Sequence, residues 1–194
     1  MQWNDHSDLI GTHAVFSPSK PSWLNYTEER AIEVYDNSRA ALEGTKTHEF
    51  AALCIERGQR LYPYKTKLTL NSYVNDAVGY QMDTEVPLVY SKLIYGTADS
   101  ITYDKRKRLL RIHDLKTGVS PAHIEQLEIY AALYCLEYGV KPSSINFELR
   151  LYQNDDVLIF NPEPELIEMR MEKVIEIDKI IRKARLERGV DIDE

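Results

Sequence analysis

The chain of 194 residues carries 24 Lys and Arg against 31 Asp and Glu, a formal net charge of −7, with 43% hydrophobic and 28% charged residues. These values suit one soluble domain with a sizeable core, and they exclude disorder throughout, a collagen-like repeat and a protein that coats nucleic acid by bulk positive charge. No apolar run approaches the roughly 18 residues of a membrane helix and the start lacks a signal-peptide pattern, so a cytoplasmic location is expected, while two cysteines, Cys54 and Cys135, are too few for a four-thiolate cluster.

Residues 1–37 read as a polar, irregular arm in which Ser17-Pro18-Ser19-Lys20-Pro21-Ser22 caps a short helix carrying Trp23 and Leu24. From 38 to 60 the positions Ala41, Leu42, Phe50, Ala51, Leu53, Cys54 and Ile55 recur at helical spacing, with Gly44 as an interruption. A weaker helix is expected over 68–80, with Leu70, Tyr73, Val74, Ala77 and Val78 on one face. Strands follow at 85–90, 93–103 and 109–115, the last two joined by the turn Asp104-Lys105-Arg106-Lys107-Arg108. After the breaker Pro121, residues 122–138 form an amphipathic helix with Ile124, Leu127, Ala131, Tyr134, Cys135 and Tyr138 toward a core. Strands at 145–152 and 157–160 pair across Asn154-Asp155, and a charged helix over 163–188 shows Ile167, Met171, Val174, Ile177 and Ile181 as its stripe. This order predicts a single α/β domain: an arm (1–37), a core with a central mixed sheet flanked by helices (38–162), and a C-terminal helix and tail (163–194).

The chemistry is concentrated around two aspartates. Asp99 lies within one strand and Asp114 at the end of its neighbour, so the carboxylates approach across the ladder and repel unless a cation bridges them or one keeps its proton. Oxygen ligands on a rigid sheet suit Mg²⁺ or Mn²⁺. Lys116, two residues beyond Asp114, points to the same face. Two carboxylates and a lysine beside a metal form a set suited to phosphodiester cleavage. Glu85 is either a further acidic ligand or, the preferred reading, a solvated strand-end residue. Ser17 and Ser19 either bind a phosphate or, preferably, cap the short helix. Lys105, Arg106, Lys107 and Arg108, along with Lys65 and Lys67, are candidate phosphate contacts, with a solvated turn as the alternative for the first four.

Gly96-x-x-Asp99, Asp114-x-Lys116-Thr117-Gly118 and Gln126-x-x-x-Tyr130, in that order, with His48 on the upstream helix, resemble the signature of the PD-(D/E)xK nuclease superfamily. The resemblance is to its RecB-like branch, which includes phage recombination exonucleases and CRISPR-adaptation nucleases, and it runs over about residues 16–138. It implies a restriction-endonuclease-like core and a metal-dependent deoxyribonuclease, an exonuclease by preference, working in phage or mobile-element recombination, repair or DNA-end processing. It further implies His48, Asp99 and Asp114 as ligands of Mg²⁺ or Mn²⁺, completed by the Leu115 carbonyl, with Lys116 as the catalytic lysine and Gln126 and Tyr130 lining the site. Many relatives hold an iron–sulfur cluster on four cysteines, which this chain lacks. The partners implied are DNA, a recombination or single-strand-annealing protein, and a second copy of the chain, with no membrane; the location would be the host cytoplasm for a phage-encoded protein. The alternative is a catalytically silent nuclease-fold protein that binds nucleic acid or a protein partner.

Overall fold

A computed structural model describes residues 14–18, 21–118 and 123–188. Its contacts divide the chain into two units, one ending at Lys46 and one beginning at Thr47. The described part of the first unit contains a 3₁₀ turn, Pro21–Asn25, and the first part of helix α1, Glu28–Glu56. The Trp23 indole N–H donates to the Ser17 carbonyl at 2.9 Å and folds the segment back on itself. The helix starts ten residues before the expected 38 because charge, not apolar spacing, supports it. Thr27 Oγ1 accepts the Arg30 N–H at 3.3 Å as an N-cap, Glu28 and Glu29 lie in the first turn, and Arg30–Glu33 and Arg39–Glu43 pair along the exposed surface. Gly44 does not interrupt it, and Leu42, Phe50 and Leu53, three of its helically spaced apolar positions, are exposed.

Among the described residues the second unit is built on five strands, β1 (Asp83–Ser91), β2 (Ile94–Asp104), β3 (Leu109–Leu115), β4 (Asn146–Gln153) and β5 (Asp156–Phe160), in the order β1-β2-β3-β4-β5. Of their pairings only β3 with β4 is parallel, joined through α3 (Glu125–Glu137), as a parallel pair requires a crossover. The sheet is therefore mixed and flanked by helices, the expected α/β architecture. One face packs under α3 and α4 (Pro164–Glu187) through Leu88, Ala98, Leu110, Ile112, Phe147 and Leu149. The other carries the end of α1 and α2 (Thr69–Tyr80), with Ala51, Cys54, Tyr73, Val74, Ala77, Leu115 and Tyr152 in its cluster.

Helix α4 is turned differently from its apolar pattern, and α3 departs from its own only at single positions. On α4 the buried face passes through Ile167, Val174 and Asp178, whose carboxylate accepts from Ser91 Oγ at 2.5 Å and Arg182 Nε at 2.6 Å, leaving Ile177 and Ile181 exposed. On α3, Tyr138 lies in solvent while Glu128 is buried and paired to Arg170 of α4 at 2.6 Å. Cys54 and Cys135 are buried free thiols in different clusters. No helix among the described residues is long and apolar enough to cross a membrane.

Candidate active site

The site forms where the sheet changes its pattern. β1 registers Val86 with Ala98 and Thr84 with Ser100, and the intervening position, Glu85 against Asp99, is skipped by the ladder. Glu85 has φ of 51°, a left-handed conformation disfavoured for a residue with a Cβ. Ala98 packs on the α3 side, yet Ser100 reaches Met82 Sδ at 3.9 Å on the α2 side, so the alternation of side chains slips by one residue at Asp99. That slip aims Asp99 at two elements at once. Its Oδ2 accepts the backbone N–H of Leu115 on β3 at 2.9 Å and lies 3.4 Å from Nδ1 of His48 on α1.

His48, Glu85 and Asp99 each present a ligand atom within 4.8 Å of the others, making them a group able to hold a metal ion. Glu85 is exposed, as expected of a strand-end glutamate, and still belongs to the group. The Leu115 atom seen at the site is its N–H, not the carbonyl that the resemblance implies as a ligand.

Asp114 stands beside this group, 1% exposed. Lys116 Nζ donates to its Oδ1 at 3.2 Å and lies 2.9 Å from Oδ2 without the angles of a hydrogen bond, so Oδ2 is a buried acceptor with no donor. Lys116 Nζ also donates to Gln126 Oε1 at 2.9 Å, and Gln126 Nε2 donates to Tyr130 Oη at 3.2 Å. Asp114, Lys116, Gln126 and Tyr130 are thus joined in one chain of bonds from β3 to α3. Gly96 explains its own place in the pattern, because a Cβ there would lie 2.8 Å from Tyr130 Cε1. Only glycine lets β2 pass beneath that ring.

The electrostatics are those of crowded carboxylates. Burial, then the charge of Asp99, pushes the Asp114 carboxyl up to about 6. The same two causes, in the same order, raise Glu85. The hydrogen bond to Asp99 raises His48 against the opposing effect of burial. All three groups therefore hold protons more tightly than in water, in a place where a divalent cation would take over the same role.

No protein-family model, curated protein or solved structure matches the chain.

The basic turn expected to contact phosphates lies apart from these residues. Lys105, Arg106, Lys107 and Arg108 are all exposed in the β2–β3 turn, where Asp104 Oδ1 accepts the N–H groups of Arg106 and Lys107 at 3.0 and 3.1 Å. They sit at the opposite end of β3 from Asp114, six residues or about 20 Å along the strand. Ser17 belongs to the first unit, and Ser19 lies outside the described residues. His123, which its spacing puts on the helix face of Gln126, precedes α3 and is exposed.

A polar network on the α2 side escaped the sequence reading altogether. Arg150 donates to Asp76 Oδ2 (2.8 Å), Tyr80 Oη (2.8 Å) and Glu148 Oε1 (3.1 Å), and Glu148 also accepts from Arg111 Nε at 2.9 Å. Tyr152 gives its one proton to Asp76 at 2.7 Å, so at 3.3 Å from His113 Nδ1 its oxygen accepts, which fixes the His113 proton on Nδ1. Burial, with Arg150 and Arg111 nearby, holds His113 well below the usual histidine range, and it is neutral. The signal available in sequence was the alternation of Arg111, His113, Arg150 and Tyr152 on two strands.

Proposed function

We propose that the chain is a metal-dependent deoxyribonuclease that hydrolyses phosphodiester bonds of linear DNA, with exonucleolytic end processing as its form. The observation that carries this reading is the unbroken chain Asp114–Lys116–Gln126–Tyr130 running beside His48, Glu85 and Asp99. The donor set fits a hard or borderline divalent cation. It offers carboxylate oxygens and one imidazole, with the buried Asp114 carboxylate, ion-paired to the Lys116 ammonium at 2.9 Å, as a further oxygen donor beside them. His48, Glu85 and Asp99 would hold the ion, with Asp114, expected from the sequence as a ligand, adjacent to that group; Mg²⁺ or Mn²⁺ is the choice that suits these ligands. When bound, such an ion supplies Lewis acidity to a phosphate oxygen and lowers the pKa of its water.

The chain's own residues do the rest. Lys116 is held between a carboxylate and an amide oxygen, and an ammonium so fixed would stabilise a phosphate oxygen that gains charge. Gln126 receives its orientation from Lys116 on one side and Tyr130 on the other, and Tyr130 is seated by Gly96. Asp99 orients His48 and ties it to the end of β3.

Matched linear DNA and RNA substrates incubated with Mg²⁺, Mn²⁺ or chelator test the reading. DNA is expected to be cut only with the cation, and Asp114→Asn or Lys116→Ala should each lower the rate by about 100-fold or more. Cleavage that ignores the chelator, or survives both substitutions, would reject it. DNA binding without any cleavage would favour the silent nuclease-fold alternative.

A further inference from the structure

The segment between α1 and α2 shows a second feature outside the site. Tyr62 and Tyr64 are 83% and 63% exposed, with their rings edge to face at 5.8 Å, and Lys65 and Lys67 beside them are exposed as well. Two solvent-facing tyrosines usually signal a loose loop, but this one is pinned through its backbone by α2. Asn75 accepts the Leu61 N–H at 2.7 Å and donates to the Leu61 carbonyl at 2.9 Å. Asn71 donates to the Tyr62 carbonyl at 2.8 Å, and Ser72 Oγ to the Thr66 carbonyl at 2.8 Å. The polar side chains of α2 order the loop, and the rings contribute nothing to a core. Aromatic rings carried on an ordered backbone lose less conformational freedom when something stacks on them than rings on a loose loop would.

We propose that Tyr62, Tyr64, Lys65 and Lys67 form a platform for a single DNA strand, the two rings stacking on unpaired bases and the two lysines meeting the phosphates between them. The proposal rests on the nuclease reading for its choice of ligand and deepens it by naming unpaired strand as the substrate form gripped beside the site. Base faces are open in a single strand and buried in a duplex, so the platform selects the former.

Its connection to the site is continuous. Lys116 N–H donates to the Tyr152 carbonyl at 2.9 Å, and Gln153 Nε2 to the Gly118 carbonyl at 2.6 Å, joining the Lys116-Thr117-Gly118 segment to the end of β4. The following turn is tied to the first residue of α2: Asp155 Oδ1 accepts the N–H and hydroxyl of Thr69 at 2.9 and 3.1 Å, and Asp155 N–H donates to Thr69 Oγ1 at 2.7 Å. Thr69 adjoins the tyrosine loop. The platform therefore lies at the end of the sheet where Asp114 and Lys116 emerge, whereas the basic β2–β3 turn lies at the other.

The test is binding of a short fluorescein-labelled oligothymidylate, by anisotropy, to the full chain in chelator, so that no turnover enters the measurement. Tyr62→Ala and Tyr64→Ala should each weaken binding at least about fivefold, Tyr62→Phe and Tyr64→Phe should bind as the parent does, and affinity for a blunt duplex should not change. An abasic strand of equal length should bind the parent and the alanine variants alike. Unchanged oligothymidylate affinity in both alanine variants, equal affinity for abasic and thymidylate strands, or no strand binding by the parent would each overturn the platform. Cleavage by the parent with indifferent tyrosine variants would reject the platform alone, and strand binding without cleavage would reject the nuclease reading alone.

Discussion

Asp99 is the residue on which the site turns. It meets His48 at 3.4 Å and Leu115 N–H at 2.9 Å, and its charge contributes to raising Glu85 and Asp114. Because His48, Glu85 and Asp114 all have raised pKa values, a bound cation must displace protons, and its affinity rises with pH. Calorimetric titration with Mn²⁺ should give a dissociation constant that falls as pH rises through about 6, the value to which the Asp114 carboxyl is pushed; a constant that does not move would contradict the assignment. In metal-free protein the sign for stability is the reverse. A carboxyl raised from 3.8 to about 6 binds its proton better folded than unfolded, so its contribution is full below 3.8 and is lost as pH rises to about 6. His48 acts in the same sense, its contribution being lost as pH rises through its raised value. Thermal melts in chelator should show Asp114→Asn flattening this fall and melting higher than the parent at neutral pH.

The sequence displayed this site unevenly, and the reason is backbone geometry. Asp114 and Lys116 were legible because a strand period of two places them on one face, whereas Gln126 and Tyr130 were singled out by the family resemblance, their spacing adding only that the two share a helix face. Glu85 was legible only as the less favoured of two readings, because a regular strand leaves it as one more solvated end residue, and the skipped pair opposite Asp99 and the left-handed φ are what turn it to the group. Gly96 was legible as part of a pattern, but its physical role needed the ring of Tyr130 above it. Gly96→Ala should push that ring away from Gln126, costing about 1–3 kcal/mol by overpacking and lowering the proposed activity. Urea unfolding of Gly96→Ala with and without Tyr130→Ala checks this, since removing the ring should recover the stability that the methyl group removes.

Among the elements, strands and the two central helices followed their apolar patterns, whereas α1 and α4 did not. The start of α1 is supported by a cap and ion pairs, which leave no apolar period to read, and α4 replaces an expected apolar contact with the buried Asp178. The packing with the largest polar stake is α2 on β3 and β4, where Arg150 gathers Asp76, Tyr80 and Glu148. Arg150→Ala leaves Asp76 with the Tyr152 hydroxyl and Glu148 with Arg111 as remaining donors, and should cost about 2 kcal/mol. Arg150→Lys recovers little, because an ammonium cannot span three acceptors with a planar fork. Equilibrium denaturation distinguishes these outcomes from a network of no consequence, for which both variants would unfold like the parent.

At the scale of the molecule, a net charge of −7 means that the proposed DNA substrate would be gripped by local features rather than by the whole surface. The proposed grip has two ends of β3 at its disposal: the tyrosine platform near Lys116 and the basic turn about 20 Å away. Replacing Lys105, Arg106, Lys107 and Arg108 by glutamine should lower the salt dependence of duplex binding, by about 0.9 in the logarithmic slope for each phosphate no longer neutralised, and leave Mn²⁺ affinity unchanged. An unaltered slope would mean that the turn is only solvated. The central claim is that His48 and the crowded carboxylates hold a divalent cation beside Lys116. Anomalous diffraction from crystals soaked in Mn²⁺ tests it most directly. A peak bonded to His48 and Asp99, with Asp114 or Glu85 completing the protein ligands, is the predicted result; no peak there, or one bonded to other residues, would contradict it.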